Sequence, residues 1–220
     1  MSDQPEERTR ATEEAVTADD EARALIVVDV QLDFCEGGSL GVTGGNDVAA
    51  AIGYLIANGA PGYAHVVATA DWHVDPGAHF SDSPDFVATW PAHCRVGTDG
   101  AQLHPALAEA AASDRIEAVF RKGEYAAAYS GFEGTTEGDD DTRVPLASWL
   151  RERGVTAVDV VGIATDHCVR ATALDAAREG FTTRVLLDLT AGVAPETTAK
   201  ALHQLADNGI GLVGEPVVRP

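Results

Sequence analysis

Apolar runs that alternate with helical patterns predict an α/β fold for this chain. The expected form is a single domain with a mostly parallel six-stranded sheet and helices on both faces. Three observations carry that expectation. The run Ala24–Val30 is apolar throughout except for Asp29, as a strand buried on both faces should be. Comparable runs recur after amphipathic stretches. At 220 residues and 45% hydrophobic content, the chain can close one substantial core.

Taken in order, Met1 to about Arg23 holds eight acidic and three basic residues and almost no large apolar ones. It is expected to be a disordered acidic arm (1–23), with the folded domain running from 24 to 220. Strands are predicted at Ala24–Val30, Ala64–Thr69, Ile116–Phe120, Ala157–Ile163 and Thr183–Leu187, with a short sixth at Ile210–Val213. Helices are predicted at Asp47–Ala57, Pro105–Ala112, Pro145–Arg153, Asp166–Glu179 and Pro195–Asn208. Gly154 and Gly180 end two of them, and Pro195 opens another at its first turn. Gly123–Arg143, rich in Gly, Thr and Asp, reads as a loop whose acidic centre, Glu133–Asp141, is a solvated excursion.

A formal charge of −20 argues against nucleic-acid binding, because a phosphate backbone would be repelled. The acidity belongs to the whole surface: beyond the arm, twelve basic residues face twenty-seven acidic ones. Such a surface suits a salty cytoplasm, where counter-ions screen self-repulsion, and a genome-wide compositional bias produces the same pattern. No apolar run approaches a membrane span and no signal-peptide pattern opens the chain. The odd set Cys35, Cys94 and Cys168 argues against a disulfide framework, so a reducing, cytoplasmic setting is expected. A monomer and a homo-oligomer are both compatible with this pattern.

Ligands of such sheets bind beyond the carboxyl ends of the strands, and Asp29, Asp71, Lys122 and Cys168 all fall at or just past predicted strand ends. Cys168 lies in the first turn of a predicted helix, with Thr165 placed to cap it. The helix dipole there would favour thiolate and a nucleophilic role, although a cysteine in that place can also simply fill a helix–strand contact. With Lys122 stabilising the thiolate, Asp29 could take the thiol proton and later return it. A second group, Asp71, His73, His79 and His93, could hold a divalent Zn, Fe or Mn ion. His65, His104 and His203 lack comparable partners and read as structural or surface residues.

The segments Val27–Phe34, Asp71–Phe80, Trp90–Cys94, Lys122-Gly123, Tyr129–Phe132 and Gly162–Arg170, in that order, make the chain resemble the nicotinamidase/pyrazinamidase family. That family lies within the isochorismatase-like cysteine hydrolases, and the resemblance runs from about Ala24 to Val213. It implies a three-layer α/β/α fold and a cysteine amidohydrolase, with Cys168 as nucleophile, Asp29 as proton-transfer residue and Lys122 as charge partner. It implies one divalent metal ion on Asp71, His73, His79 and His93. It also implies a cis Ile163–Ala164 peptide, with the Ala164 and Cys168 N–H groups forming an oxyanion hole. Phe34, Trp90, Tyr129, Ile163 and His167 would contact the substrate ring. The implied reaction is nicotinamide to nicotinate and ammonia, in pyridine-nucleotide (NAD) salvage, with pyrazinamide also cleaved. Another small-amide or ureide hydrolase of the same superfamily is the alternative. Trp72, where that family often has Phe, is a mild departure.

Overall fold

The computed structural model describes residues 22–137 and 142–218. One eight-stranded sheet organises them, with the spatial order β5-β4-β3-β2-β1-β6-β7-β8. Its strands are β1 Arg23–Val28, β2 His65–Asp71, β3 Ala118–Lys122, β4 Thr135–Glu137, β5 Arg143–Pro145, β6 Ala157–Ile163, β7 Thr182–Ala191 and β8 Gly211–Val213. The helices are α1 Gly45–Ala57, α2 Pro105–Ala112, α3 Leu146–Glu152, α4 Arg170–Arg178 and α5 Pro195–Asp207. The strands from β3 through β1 to β8 pair in parallel, whereas β4 and β5 are antiparallel.

The predicted six strands are all present, and two more extend one edge. β4 lies inside the segment expected to be a loop, Gly123–Arg143, while β5 runs from its last residue to Pro145, the expected first residue of a helix that begins at Leu146 instead; each strand is only three residues long. Strands this short leave almost no periodic signal. The tip of the expected acidic excursion, residues 138–141, lies outside the described residues, as does the expected arm except for Ala22 and Arg23. Arg23 is the first residue of β1 rather than the last of an arm.

Successive side chains of a strand point to opposite faces, and β1 shows what this does to a wholly apolar run. Leu25 and Val27 enter a core shared with Val48, Ile52 and Ile56 of α1 and Leu107 of α2. Ala24, Ile26 and Val28 enter another with Leu146 and Leu150 of α3, Ala173 of α4 and Leu205 of α5. Every one of these β1 residues is fully buried.

At the amino edge of the central strands, Asp159 of β6 is a buried charge held by three partners. Arg23 of β1 donates to Oδ1 at 2.8 Å, and Arg184 of β7 donates to both oxygens at 2.8 and 2.6 Å. The Tyr63 hydroxyl donates to Oδ2 at 2.7 Å. Burial opposes ionisation, but the Arg184 and Tyr63 hydrogen bonds and the two guanidinium charges outweigh it and depress the carboxyl below its ordinary range.

Asp159→Asn is expected to cost about 2–3 kcal/mol at pH 7, less than a fully buried pair, because the Arg184 side chain is 43% exposed and can turn to water. A depressed native pKa stabilises above the unfolded value of about 4 and ceases to do so as pH falls through the native value. Urea unfolding of both proteins should therefore show the gap full at neutral pH and closing below about pH 4. A gap independent of pH would contradict the ion-pair account.

Candidate active site

Strand β1 pairs with β2 on one side and β6 on the other, the point where the strand order reverses, so a crevice opens beyond its carboxyl end. Asp29 is the first residue past that end. It adopts φ +49°, a conformation unusual for a residue with a side chain, and donates its N–H to Thr69 O at 3.3 Å. Its carboxylate is fully buried, and Oδ1 accepts the Thr69 hydroxyl at 2.6 Å. The parallel register of β2 and β3 sets Asp71 directly beside Lys122. Gly162, opposite Val28, allows β6 to approach so closely because a Cβ there would stand 2.1 Å from Val28 O.

Lys122 is the hub of the crevice. Its ammonium, without solvent exposure, meets Asp29 Oδ2 at 2.8 Å, Ala128 O at 3.2 Å and Cys168 Sγ at 3.7 Å. It also donates a short hydrogen bond to Asp71 Oδ1. Burial alone would lower the lysine pKa, but the two carboxylates and the nearby sulfur hold it well above the ordinary value.

The two carboxylates diverge around this shared cation. Burial pushes Asp29 up, with Asp71 adding to the shift and Lys122 resisting it. Asp71 is buried too, yet Lys122, His73 and His93 outweigh that and hold it well below the usual range. Paired acids pushed apart in this way take different roles: one can move protons and the other stays charged. Although Asp29 Oδ2 forms an ion pair with Lys122, it accepts no hydrogen bond of good geometry, which leaves a lone pair for a proton.

Cys168 does not sit as the sequence pattern suggested. Residues Thr165–Val169 form a single wide π turn ahead of α4, and Thr165 does not cap it. The Thr165 side chain is buried and donates to Thr190 Oγ1 at 2.9 Å. The thiol is 7% exposed, and burial raises its pKa well above the ordinary value against the pull of Lys122. Ionising it therefore calls for a base alongside. The Ile163–Ala164 peptide is cis. Ala164 O accepts from the His167 and Val169 N–H groups, which bracket Cys168.

On the other side of Asp71, the imidazoles of His73, His79 and His93 converge, with one nitrogen from each within 4.8 Å of the others. His73 Nδ1 donates to Gly123 O at 2.6 Å and His93 Nδ1 to Pro91 O at 2.7 Å, so in both rings Nε2 is the nitrogen free to ligate. Gly123 has φ +77°, and a Cβ there would lie 2.6 Å from the His73 ring. Asp71 Oδ2 is 3.6 and 3.7 Å from the Nε2 atoms of His73 and His93. His73 Nε2 and His79 Nδ1 are buried without hydrogen-bond partners. Burial, helped by His93 and His73, lowers the His79 pKa to about 4, so the ring is neutral at pH 7. Three converging imidazoles and one carboxylate, with two buried imidazole nitrogens left without hydrogen-bond partners, fit a divalent metal ion.

A cavity of about 340 Å³ opens onto both groups; Cys168, Ala164, Asp71, His79 and His93 lie at its buried end. All five predicted ring-contact residues, Phe34, Trp90, Tyr129, Ile163 and His167, line it. The Trp90 indole N–H donates to the Tyr129 hydroxyl at 3.0 Å, and His167 stands edge-on to Trp90 at 5.1 Å. Lys122 and Asp29 do not reach the cavity and act from behind Cys168.

Sequence reasoning missed several residues that hold this arrangement. The buried Gln31 amide accepts the Asp71 N–H at 2.8 Å and donates to both Asp71 O and Ala101 O at 2.9 Å. Thr69 orients Asp29, and Asp33 Oδ2 accepts the Cys94 N–H at 2.7 Å. Leu40, Gly41, Val42, Phe86, Ala128 and Val193 complete the cavity wall. A glutamine beside a strand-end aspartate is the one signal in the sequence that could have pointed to such a clamp. The other histidines are structural or exposed, as expected: His104 caps α2, His65 faces Glu117 and His203 is exposed.

A parallel sheet with a thiol, carboxylate and ammonium in contact at its carboxyl edge defines a class, and residues 23–214 match the Isochorismatase domain family. The Mycobacterium tuberculosis nicotinamidase/pyrazinamidase is 59% identical over 191 residues, covering 87% of this chain and 98% of that protein. The Escherichia coli nicotinamidase is 34% identical, covering 86% and 93%. A crystal structure of Pyrococcus horikoshii pyrazinamidase in complex with zinc superposes with a TM-score of 0.72 at 38% identity, covering 87% of this chain and 98% of that one. The chain belongs to the nicotinamidase/pyrazinamidase family of isochorismatase-domain proteins.

Lys122→Met would leave two buried carboxylates facing each other, and is expected to lower stability by about 3–5 kcal/mol. Adding Asp29→Asn to Lys122→Met should recover part of that loss, read from denaturant midpoints. A double variant no more stable than the single one would remove Lys122 as the electrostatic hub.

Proposed function

We propose that this protein hydrolyses nicotinamide to nicotinate and ammonia, cleaves pyrazinamide as well, and serves pyridine-nucleotide salvage in a reducing cytoplasm. The observation that carries the reading is the Asp29–Lys122–Cys168 contact group, whose Cys168 opens onto the same apolar cavity as Asp71, His79 and His93 of the histidine group. The relatives support it: the M. tuberculosis protein is a nicotinamidase/pyrazinamidase, and a yeast nicotinamidase with a TM-score of 0.75 and 28% identity binds the inhibitor nicotinaldehyde. The three free cysteines accord with a reducing compartment, and among the described residues no helix is long and apolar enough to cross a membrane.

In this reading Phe34, Trp90, Tyr129, Ile163 and His167 enclose the ring and bring the carboxamide carbon onto Cys168. Asp29 takes the thiol proton, and the sulfur, beside the Lys122 charge, attacks that carbon. The oxygen of the tetrahedral adduct is received by the Ala164 and Cys168 N–H groups. Asp29 returns the proton to the amide nitrogen as the C–N bond breaks, releasing ammonia and leaving a thioester. Water then gives a proton to Asp29 and attacks the thioester. The departing sulfur recovers that proton and nicotinate is released. A zinc, iron(II) or manganese(II) ion on Asp71, His73, His79 and His93 would supply a Lewis-acid seat for the ring nitrogen.

Cys168→Ala is expected to reduce ammonia release by at least about 10⁴-fold while leaving the melting temperature near that of the parent. Substantial remaining turnover would mean that the thiol does not attack. Chelation should raise the KM for nicotinamide or abolish activity, and zinc should restore it, as read by ammonia release with elemental analysis of the same sample. Full activity in metal-free protein would remove the metal assignment.

A further inference from the structure

We infer that Phe86 is a specificity-determining residue. With Leu40 and Val193 it walls the mouth of the cavity and limits what the outer edge of the substrate ring can carry. The inference rests on the nicotinamide assignment above. The cavity changes character along its depth: its chemical end is buried, whereas Phe86 is 57% and Val193 44% exposed.

The ring is also deliberately placed. Phe86 has φ +55°, a conformation that a bulky residue rarely adopts, and such outliers persist where the surroundings impose them. Here the surroundings are the neighbouring Asp85, whose Oδ1 accepts the Val87, Ala88 and Thr89 N–H groups at 2.9, 2.8 and 2.8 Å and the Thr89 hydroxyl at 3.0 Å. Phe86 N–H donates to Thr89 O at 3.1 Å. The turn thereby holds the phenyl edge-on to Trp90, with centroids 6.1 Å apart and planes at 85°. Trp90 is almost buried and tied to Tyr129, so Phe86 continues the aromatic wall outward from the reacting end.

The substrate's own geometry says which atom meets that wall. In nicotinamide the ring nitrogen and the carboxamide are meta to each other, and carbon 5 is meta to both. With the nitrogen toward the three histidines and the carboxamide toward Cys168, both anchors lie at the buried end. Carbon 5 then points to the mouth. A hydrogen there is accommodated, while a larger group meets Phe86, Leu40 and Val193.

The test compares zinc-loaded parent, Phe86→Ala and Phe86→Tyr on nicotinamide and on nicotinamide bearing a 5-phenyl group. Phe86→Ala should raise the KM for nicotinamide by about three- to tenfold with little change in kcat, the scale of one lost aromatic contact. The ratio of kcat/KM values should move toward the 5-phenyl amide by about tenfold or more. Phe86→Tyr, which keeps the ring, should behave like the parent, and thermal melting should show all three equally folded. An unchanged ratio in Phe86→Ala, or a matching fall in kcat on both amides, overturns the wall. Failure of the zinc-loaded parent to hydrolyse nicotinamide overturns the substrate assignment, and the wall with it. Turnover with an unchanged ratio removes the wall alone.

Discussion

The buried ammonium of Lys122 is the constraint around which the rest of the molecule is arranged. Two carboxylates and a thiol lie buried in one crevice, and without a cation between them the carboxylates could not both remain there ionised. The cation arrives by strand register: β3 pairs with β2 so that Lys122 is the neighbour of Asp71, and β1 ends where Asp29 can turn in from the other side. A slip of one residue in that pairing would turn Lys122 to the opposite face of the sheet and leave the acids uncompensated. The same register that closes the core therefore assembles the charge group.

Asp71 gives this centre its second property. One of its oxygens holds the lysine and the other faces two histidines, so a single carboxylate joins the proton-moving side of the crevice to the ligating side. Its backbone is fixed by Gln31, whose amide pairs with both the N–H and the C=O of Asp71 as another strand would. Asp29, by contrast, is held through Thr69 at one oxygen and meets the Lys122 ammonium with the other. Similar carboxylates are thus given different duties by their neighbours alone.

Much of this was readable from the chain, for reasons that can be stated residue by residue. The apolar run of β1 is long enough to leave no doubt about its burial, and Asp29 stands out against it. The histidines beyond β2 are so spaced that turns at Pro76-Gly77 and Trp90-Pro91 can bring them back together. What was not readable depended on length or on contact. Strands β4 and β5 are too short to show a period, and the π turn before α4 has the same composition as an ordinary helical turn. The depth of Cys168 was not readable either, because a helix end can be seen in a sequence but the burial of a thiol cannot. Gln31, Thr69 and Asp33 act through hydrogen bonds to residues 40 to 61 positions away, which no local pattern encodes.

The two three-residue strands that close the sheet, β5 on one side and β8 on the other, also bear on how copies of this chain can meet. A long, flat, apolar edge would invite another sheet to add on. Here one edge is charged at Arg143 and lacks an N–H at Pro145, and the other is followed at once by a left-handed Gly214. Neither offers a continuous ladder of unpaired donors and acceptors. Among the described residues, the ends of this sheet are therefore ill suited to extension by a further strand, and that resistance to edge-to-edge growth is set by two three-residue segments.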